Sequence, residues 1–414
     1  MAQLIVTIHR SAHEIGGNCI EIATDEGQRL LLDAGRPLAT PDGVPAPVPV
    51  SLDLSRPPEA VLLSHAHQDH VGLLPVLPAS WPVWCGAPTG RLMGLLAGVQ
   101  GWSIPQTLRH WTSGQEFCVG PFSVTPLLVD HSAFDAHMLL VRACGRSILY
   151  TGDFRGHGRK ARLLEGIIRR LPATLDALIM EGTNLGRNGE AETEEHIEAR
   201  LLGCFRAARG RVFVSWSAMN IDRTVSVFKA ARRAGRTLAI DLFSAEVLRS
   251  LADAGRIPQP HWDGVKVVVT APLARRLARM GREGLVEELI ASRCAMSARA
   301  LCRRPERWVI LSRSSLLRDF CRAGLVPTGD DVWVWSQWQG YKGSADWESQ
   351  AARLAPCAQL GIHTSGHATG RVLRDFASRL APRCIIPVHG ECWDESAHNF
   401  PGLCRLRDGE ALRL

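Results

Sequence analysis

The stretch 61-VLLSHAHQDHVGLLP-75 sets three histidines and an aspartate within six positions, directly behind an apolar run. An apolar run of this kind reads as a strand entering a core. The polar groups that follow it would cost several kcal/mol if they were buried without partners. Divalent metal ions are the natural partners, because imidazole and carboxylate are the ligands of zinc and manganese. In a tight turn, His65 and His67 can face one ion while Asp69 and His70 face a second.

The remaining ligands are expected where other strands end. His131 follows "TPLLVD", Asp153 closes "SILYTGD" and His389 closes "CIIPVHG". A dinuclear site needs about three or four protein ligands per ion, a bridging carboxylate and an open position for water. His65, His67 and His131 for one ion, with Asp69, His70 and His389 for the other and Asp153 between them, satisfy that count.

Around these ligands, residues 1–183 read as strands and turns with few long helices: "LIVTIH", "NCIEIAT", "QRLLLDAG" and "AVLLSHA", then "FSVTPLLVDHS", "HMLLVRACG", "SILYTGD" and "ALIMEGT". From about Glu190 helical segments alternate with short strands, a βαβα rhythm that predicts a parallel sheet flanked by helices. Near "WQGYKGSADW" the composition turns back, and "QLGIHTSGHA" and "CIIPVHGE" are each read as a strand ending on a histidine. Residues 186–343 therefore read as an insert, with 1–185 and 344–414 as two parts of one α/β domain.

Charge separates the same regions. Residues 186–343 hold 26 Lys/Arg against 17 Asp/Glu, and the rest of the chain 22 against 24, so the net charge of +7 comes from the insert. A basic module beside a near-neutral one fits a polyanionic partner, most commonly nucleic acid. No window approaches 18 uninterrupted apolar residues, and the first residues read as a strand, so neither a membrane span nor a secretory signal is expected. Twelve scattered cysteines without a CxxC pair fit reduced thiols in a cytoplasmic protein.

"GGNC…LLLDAG", "SHAHQDHVG", "DHS", "TGDF" and "PVHGE", in this order, resemble the motifs of the metallo-β-lactamase fold. That resemblance implies an αββα sandwich over residues 1–183 and 358–414. It also implies that Asp33 supports the histidine turn through hydrogen bonds without being a ligand. The basic insert, "IMEGTN" with Glu181 before it and "HTSGHATG" with His367 after it, resemble the β-CASP nucleases. Within that group "HEIGGNC", "TSGHA" and "PVHGE" are most similar to ribonuclease J, and a histidine at position 389 points to RNA where the DNA-directed branch tends to have valine. The resemblance implies a zinc-dependent phosphodiesterase acting on single-stranded RNA, as 5′ exonuclease, endonuclease or both.

Under that resemblance two Zn2+ ions, or Mn2+, lower the pKa of a shared water toward ~7, and the hydroxide attacks phosphorus in line. Asp69, Glu181 and His367 are the expected catalytic residues, with His367 hydrogen-bonding a phosphate oxygen or protonating the departing O3′ and Glu181 orienting it. Ser217, Asn220, Arg223 and Ser244 fall where the family's insert lines the RNA channel. Trp338 is a candidate for stacking on bases, worth about 1–3 kcal/mol, whereas Trp333 and Trp335 read as core. A DNA-directed β-CASP nuclease, a small-molecule hydrolase of the same fold and a silent RNA-binding subunit are the rival readings. A monomer and a homodimer both remain open.

Overall fold

The computed structural model describes residues 3–41, 43–187 and 189–414. The chain divides into two compact units, one of residues 1–97, 101–191 and 366–414, the other of residues 98–100 and 192–365. The strands of the first stretch are β1 (Leu4–Arg10), β2 (Cys19–Thr24), β3 (Arg29–Leu32), β4 (Ala60–Leu62), β5 (Val83–Gly86), β6 (Leu108–Trp111), β7 (Phe117–Val119), β8 (Phe122–Leu128), β9 (His137–Ala143), β10 (Arg146–Tyr150) and β11 (Ala177–Glu181). The second unit contributes β12 (Val212–Ser215), β13 (Thr237–Asp241), β14 (Val265–Val269), β15 (Ala295–Ser297), β16 (Trp308–Leu311), β17 (Val332–Trp335) and β18 (Ala358–Gly361). β19 (Ile385–Val388) and β20 (Ala411–Arg413) return to the first unit.

The first unit is a two-sheet sandwich. One sheet runs β20-β1-β2-β3-β4-β5-β6 and the other β19-β11-β10-β9-β8-β7. Side chains of one parity fill the space between them, among them Val6, Ile8, Ile20, Ile22, Leu30 and Leu32 against Val124, Leu139, Val141, Ile148, Ile179 and Ile386. The opposite parity of the second sheet, including Met138, Leu140, Leu149, Leu178 and Met180, packs on Leu373, Phe376, Ala377 and Leu380 of the helix Gly370–Leu380. β11, "ALIME", is buried at every position, which is why its apolar run shows no alternation. β8 is antiparallel to β9 and β9 to β10. β10, β11 and β19 are parallel. The C-terminal ends of β8, β10, β11 and β19 therefore share one edge of their sheet.

The second unit is a seven-stranded sheet in the order β15-β14-β13-β16-β12-β17-β18, and every ladder in it is parallel. Helices such as Glu194–Ala207, Ile221–Arg233 and Leu242–Ser250 connect the strands, as the βαβα rhythm predicts. Asn220 caps the second of these and Asp241 the third, each side chain accepting from a backbone N–H three residues on.

Two expectations change. The composition turns at 343, but the second unit extends to 365. Ser344 caps the helix Ala345–Arg353. Gln350 of that helix is fully buried, and its Oε1 accepts from Ser215 at 2.8 Å and Ser312 at 2.7 Å. β18 adds to β17 as an exposed edge strand, so "QLGIHTSGHA" is not a strand of the first domain. The helix Ala87–Gln100 also went unforeseen, because its four Gly and Pro residues mask a helical pattern.

Candidate metal centre

The decisive turn forms because β4 stops at Leu62 and the chain bends at Ser64 and Ala66 before a four-residue helix, Gln68–Val71. His67 precedes that helix at φ −73°, ψ 148°. The segment before the helix carries His65 and His67, and the helical turn carries Asp69 and His70. Gly35 approaches this turn so closely that a Cβ there would overlap the Asp69 carbonyl and the Asn18 amide. Gly152, at φ +49°, lets the chain after β10 pass Ser64, where a Cβ would meet the serine Cβ at 2.8 Å.

The turn and the strand ends converge. His65, His67, His131 and Asp153 form one group whose candidate ligand atoms all lie within 4.8 Å of one another, and Asp69, His70, Asp153 and His389 form a second. Asp153 belongs to both. Its Oδ2 is 3.7 Å from His65 Nε2, 3.1 Å from His70 Nε2 and 3.9 Å from His131 Nε2, while its Oδ1 is 3.8 Å from His389 Nε2. His131 Nε2 and His67 Nδ1 face each other at 3.3 Å. A third group joins Asp153 to Glu181 and His367. His367 Nδ1 lies 3.1 Å from Glu181 Oε2 and 3.7 Å from Asp153 Oδ2. The backbone N–H of Phe154 holds Glu181 Oε1 at 2.9 Å.

The far sides of four of the rings are engaged elsewhere. Asp33 accepts from His70 Nδ1 at 2.7 Å, Ser64 N at 2.7 Å and Ser64 Oγ at 2.8 Å. His131 Nδ1 donates to the Gly366 carbonyl at 2.6 Å, and His389 Nδ1 to Asn18 Oδ1 at 2.7 Å. His65 Nδ1 lies 3.1 Å from Ser64 Oγ. Such contacts orient ligand imidazoles and select their tautomers. Ser64 and Asn18 were not singled out in the sequence, although "GGN" stood there as a pattern without a role. Asp130, next to His131, turns away and accepts from Gly158 N at 2.7 Å.

The donor set fits a divalent cation. His65 Nε2, His389 Nε2 and Asp153 Oδ1 are buried polar atoms with no hydrogen-bond partner among the described residues. Burial, and for His65 the neighbouring rings, holds His65 and His131 well below the usual imidazole range and His67 and His389 below it, so their lone pairs are free. Burial opposes charge on Asp153 and on His70. Even so, His389, His70 and His367 keep the Asp153 carboxyl well below its usual range, and Asp153 and Asp33 keep His70 well above. To serve as a ligand, His70 would give up its Nε2 proton. Burial also disfavours the His367 cation, but Glu181 and Asp153 outweigh it and raise the ring to about 9. Dications at the neighbouring ligands act against that rise.

The insert candidates fall differently. Ser217 and Trp338 are exposed, the indole at 45%. Asn220 is half-buried and serves as a helix cap. Ser244 is buried in the first turn of its helix. Arg223 is a correction: it is fully buried, its Nη2 3.0 Å from Glu194 Oε1 and its Nη1 3.0 Å from the Ser336 carbonyl, so it secures the second unit and does not reach a phosphate. Trp333 and Trp335 lie in the core at 2% and 1% exposure.

A sandwich of this topology with histidines and aspartates gathered at its strand ends is a metal-binding domain of the metallo-β-lactamase fold. A family model described as a beta-lactamase superfamily domain matches residues 28–240, just over half of the sequence, and the chain belongs to that superfamily. A second model, described as a Zn-dependent metallo-hydrolase RNA specificity domain, matches residues 361–398. Curated relatives include proteins named Ribonuclease J from Sinorhizobium meliloti, 25% identical over 86% of this chain and 63% of that protein, and from Mycobacterium tuberculosis, 26% identical over 80% and 58%. Another, from Helicobacter pylori, is 23% identical over 91% and 55%. The chain thus spans less than two thirds of the length of these relatives. A crystal structure of a protein of unknown function from Enterococcus faecalis V583 superposes with a TM-score of 0.77 at 18% identity over all of both chains, a likeness of fold.

Proposed function

We propose that the chain is a zinc-dependent ribonuclease that hydrolyses phosphodiester bonds of single-stranded RNA. Two Zn2+ ions, with Mn2+ as the substitute, would be held by His65, His67 and His131 on one side and Asp69, His70 and His389 on the other, bridged by Asp153. The observation that carries the reading is His367 standing 3.1 Å from Glu181 and 3.7 Å from Asp153. A proton donor is thereby placed beside the ligand that joins both groups. When bound, the ions supply Lewis-acid polarisation of the phosphodiester and activation of water.

The chain's own residues do the rest. The histidines keep Nε2, or Nδ1 in His67, turned inward, and all but His70 present a lone pair there. Glu181 is held by the Phe154 amide and fixes the His367 ring. His367 can then donate to a phosphate oxygen or deliver a proton to the departing O3′, a role worth about 10²–10⁴ in rate. Support for RNA comes from the match over residues 361–398, which contains His367 and His389, and from the relatives' names. The second unit adds 26 Lys/Arg against 18 Asp/Glu over residues 192–365. A cytoplasmic location fits twelve cysteines that are all free thiols. No helix among the described residues is long and apolar enough to cross a membrane.

The test is digestion of 5′-labelled and 3′-labelled RNA, beside a DNA oligonucleotide of the same sequence, with Zn2+ or Mn2+ supplied. Wild type is expected to cut RNA in preference to DNA, and His367→Ala and Asp69→Ala to lose most of that activity. Uncut RNA, or full activity in both variants, sinks the proposal; preferential cutting of DNA transfers it to the DNA-directed branch.

A further inference from the structure

We propose that Asn18 and Tyr150 are positioning residues that fix the tautomer of His389 and tie it to His70, so that the two imidazoles serve the second ion as one unit. The proposal rests on the metal-centre reading above and adds Tyr150, to which that reading gives no part, together with the link through it from Asn18 to Asp33.

Four hydrogen bonds carry it. His389 Nδ1–H donates to Asn18 Oδ1 at 2.7 Å. Asn18 Nδ2 donates to Tyr150 Oη at 2.8 Å, and Tyr150 Oη donates to Asp33 Oδ2 at 2.6 Å. That same carboxylate oxygen accepts from His70 Nδ1 at 2.7 Å. All five side chains are fully buried, so no water competes for these positions. The ring planes of His70 and His389 lie 25° apart with centroids at 5.2 Å.

Each link permits only one direction. Asp33 as a carboxylate only accepts, so the phenol must point its proton at Asp33 and can only accept from Asn18. The Asn18 amide must therefore turn its NH2 to Tyr150 and its oxygen to His389. Facing an acceptor, His389 carries its proton on Nδ1 and leaves Nε2 bare. Nε2 is the atom 3.8 Å from Asp69 Oδ2 and 3.8 Å from Asp153 Oδ1. A reversed amide would put an NH2 group against Nδ1 and drive the proton to Nε2, where it blocks a metal. Without the phenol proton nothing opposes that reversal. His389 also has φ +51°, and its backbone N–H is tied to the Ser11 carbonyl at 2.8 Å, so the ring has little freedom to compensate.

Of the other group, His65 reaches Asp33 only through Ser64 Oγ, and His131 turns its Nδ1 to the Gly366 carbonyl, so neither bonds to Asn18 or Tyr150, which makes the proposal selective. Zn2+ affinity is measured by chelator competition, and the ligand environment by the visible spectrum of the Co2+-loaded protein. The proteins are full-length wild type, Tyr150→Phe, Asn18→Leu and Asn18→Asp, with His131→Ala and His389→Ala as markers of each ion's signal. Tyr150→Phe and Asn18→Leu are expected to weaken the ion marked by His389 by roughly 10–100-fold and leave the other unchanged, as losses of such supporting contacts do. Asn18→Asp, which restores the acceptor for Nδ1–H, is expected to recover most of the loss. If all four proteins hold two ions alike, or the variants lose both ions equally, the chain of hydrogen bonds has no such role while the metal centre stands. If wild type binds no ion, the metal-centre reading falls and takes this proposal with it. Should Asn18→Leu fail to fold, Tyr150→Phe carries the same test, because it removes one hydroxyl from a ring of unchanged shape.

Discussion

Glu181 Oε2 stands 3.1 Å from His367 Nδ1, although 186 positions separate the two in sequence. Glu181 ends β11 and His367 follows directly on the chain's return to the first unit at residue 366, so the contact pairs two residues that flank the insert in sequence. Neither residue belongs to the two histidine-rich groups that share Asp153. Glu181→Gln and His367→Ala are therefore expected to retain bound metal while kcat on RNA falls by about 10²–10⁴. Metal analysis alongside single-turnover cleavage checks this; variants that lose metal in step with rate would make both residues ligands.

Asp153 touches both groups, so its loss should not resemble the loss of one histidine. Asp153→Asn is expected to depress the affinity of both ions, whereas His389→Ala depresses one. Ligands that bind only the folded chain raise its Tm in proportion to the logarithm of their concentration. A thermal unfolding series against Zn2+ should accordingly rise for wild type and lie nearly flat for Asp153→Asn.

A second buried cluster lies away from the metal groups. Glu21 Oε2 is 2.7 Å from Arg29 Nη1 and 3.2 Å from His9 Nε2. Burial pushes the Glu21 carboxyl up, but the His9 and Arg29 contacts prevail and hold it below its ordinary 4.5. A carboxyl lowered on folding stabilises the protein above about pH 4.5, and the contribution fades as pH falls through the folded value. Glu21→Gln is expected to cost roughly 1–3 kcal/mol at pH 7, since it leaves Arg29 without its counter-charge. Urea titrations of both proteins should converge as the pH drops below about 4.5; a gap of constant size would remove the charge from the explanation.

RNA affinity should fall linearly on a log–log plot against salt, with a slope near −0.7 for each phosphate neutralised on a single strand. A surplus of arginines in the second unit makes that slope steep. Arg223 is excluded from it, being buried against Glu194. Charge reversal at exposed arginines such as Arg275 or Arg279 should flatten the slope, while a flat response in wild type would count against the unit as a binding surface.

The turn was legible because its chemistry is local: six positions carry four candidate ligands, and each further candidate closes an apolar strand. The parallel insert was legible from its alternation of periods. The supporting contacts were not. Asn18, Ser64 and Tyr150 are ordinary residue types whose meaning comes from long-range contacts, such as the bond from Asn18 to Tyr150 across 132 positions. Arg223 misled for a related reason, because an arginine in a basic segment looks the same whether its partner is a phosphate or a buried glutamate. The limit at 343 followed tryptophan and charge, whereas the fold continues until Gln350 and β18 have joined the third sheet.

β20 lies beside β1, with Ile5 opposite Arg413, so the edge partner of β1 comes from 408 positions further along the sequence. During synthesis, residues 192–365 leave the ribosome as nearly all of one compact unit and can collapse at once. The sandwich of the first unit must wait for β19, His389 and β20. A ribosome that stalls or terminates early after residue 365 thus releases a chain with a folded insert, an open-edged sheet exposed to aggregation and an incomplete set of ligands. A chain that stops short of residue 389 would carry at most six of the seven candidate ligands in the two groups that share Asp153, whatever the state of its insert.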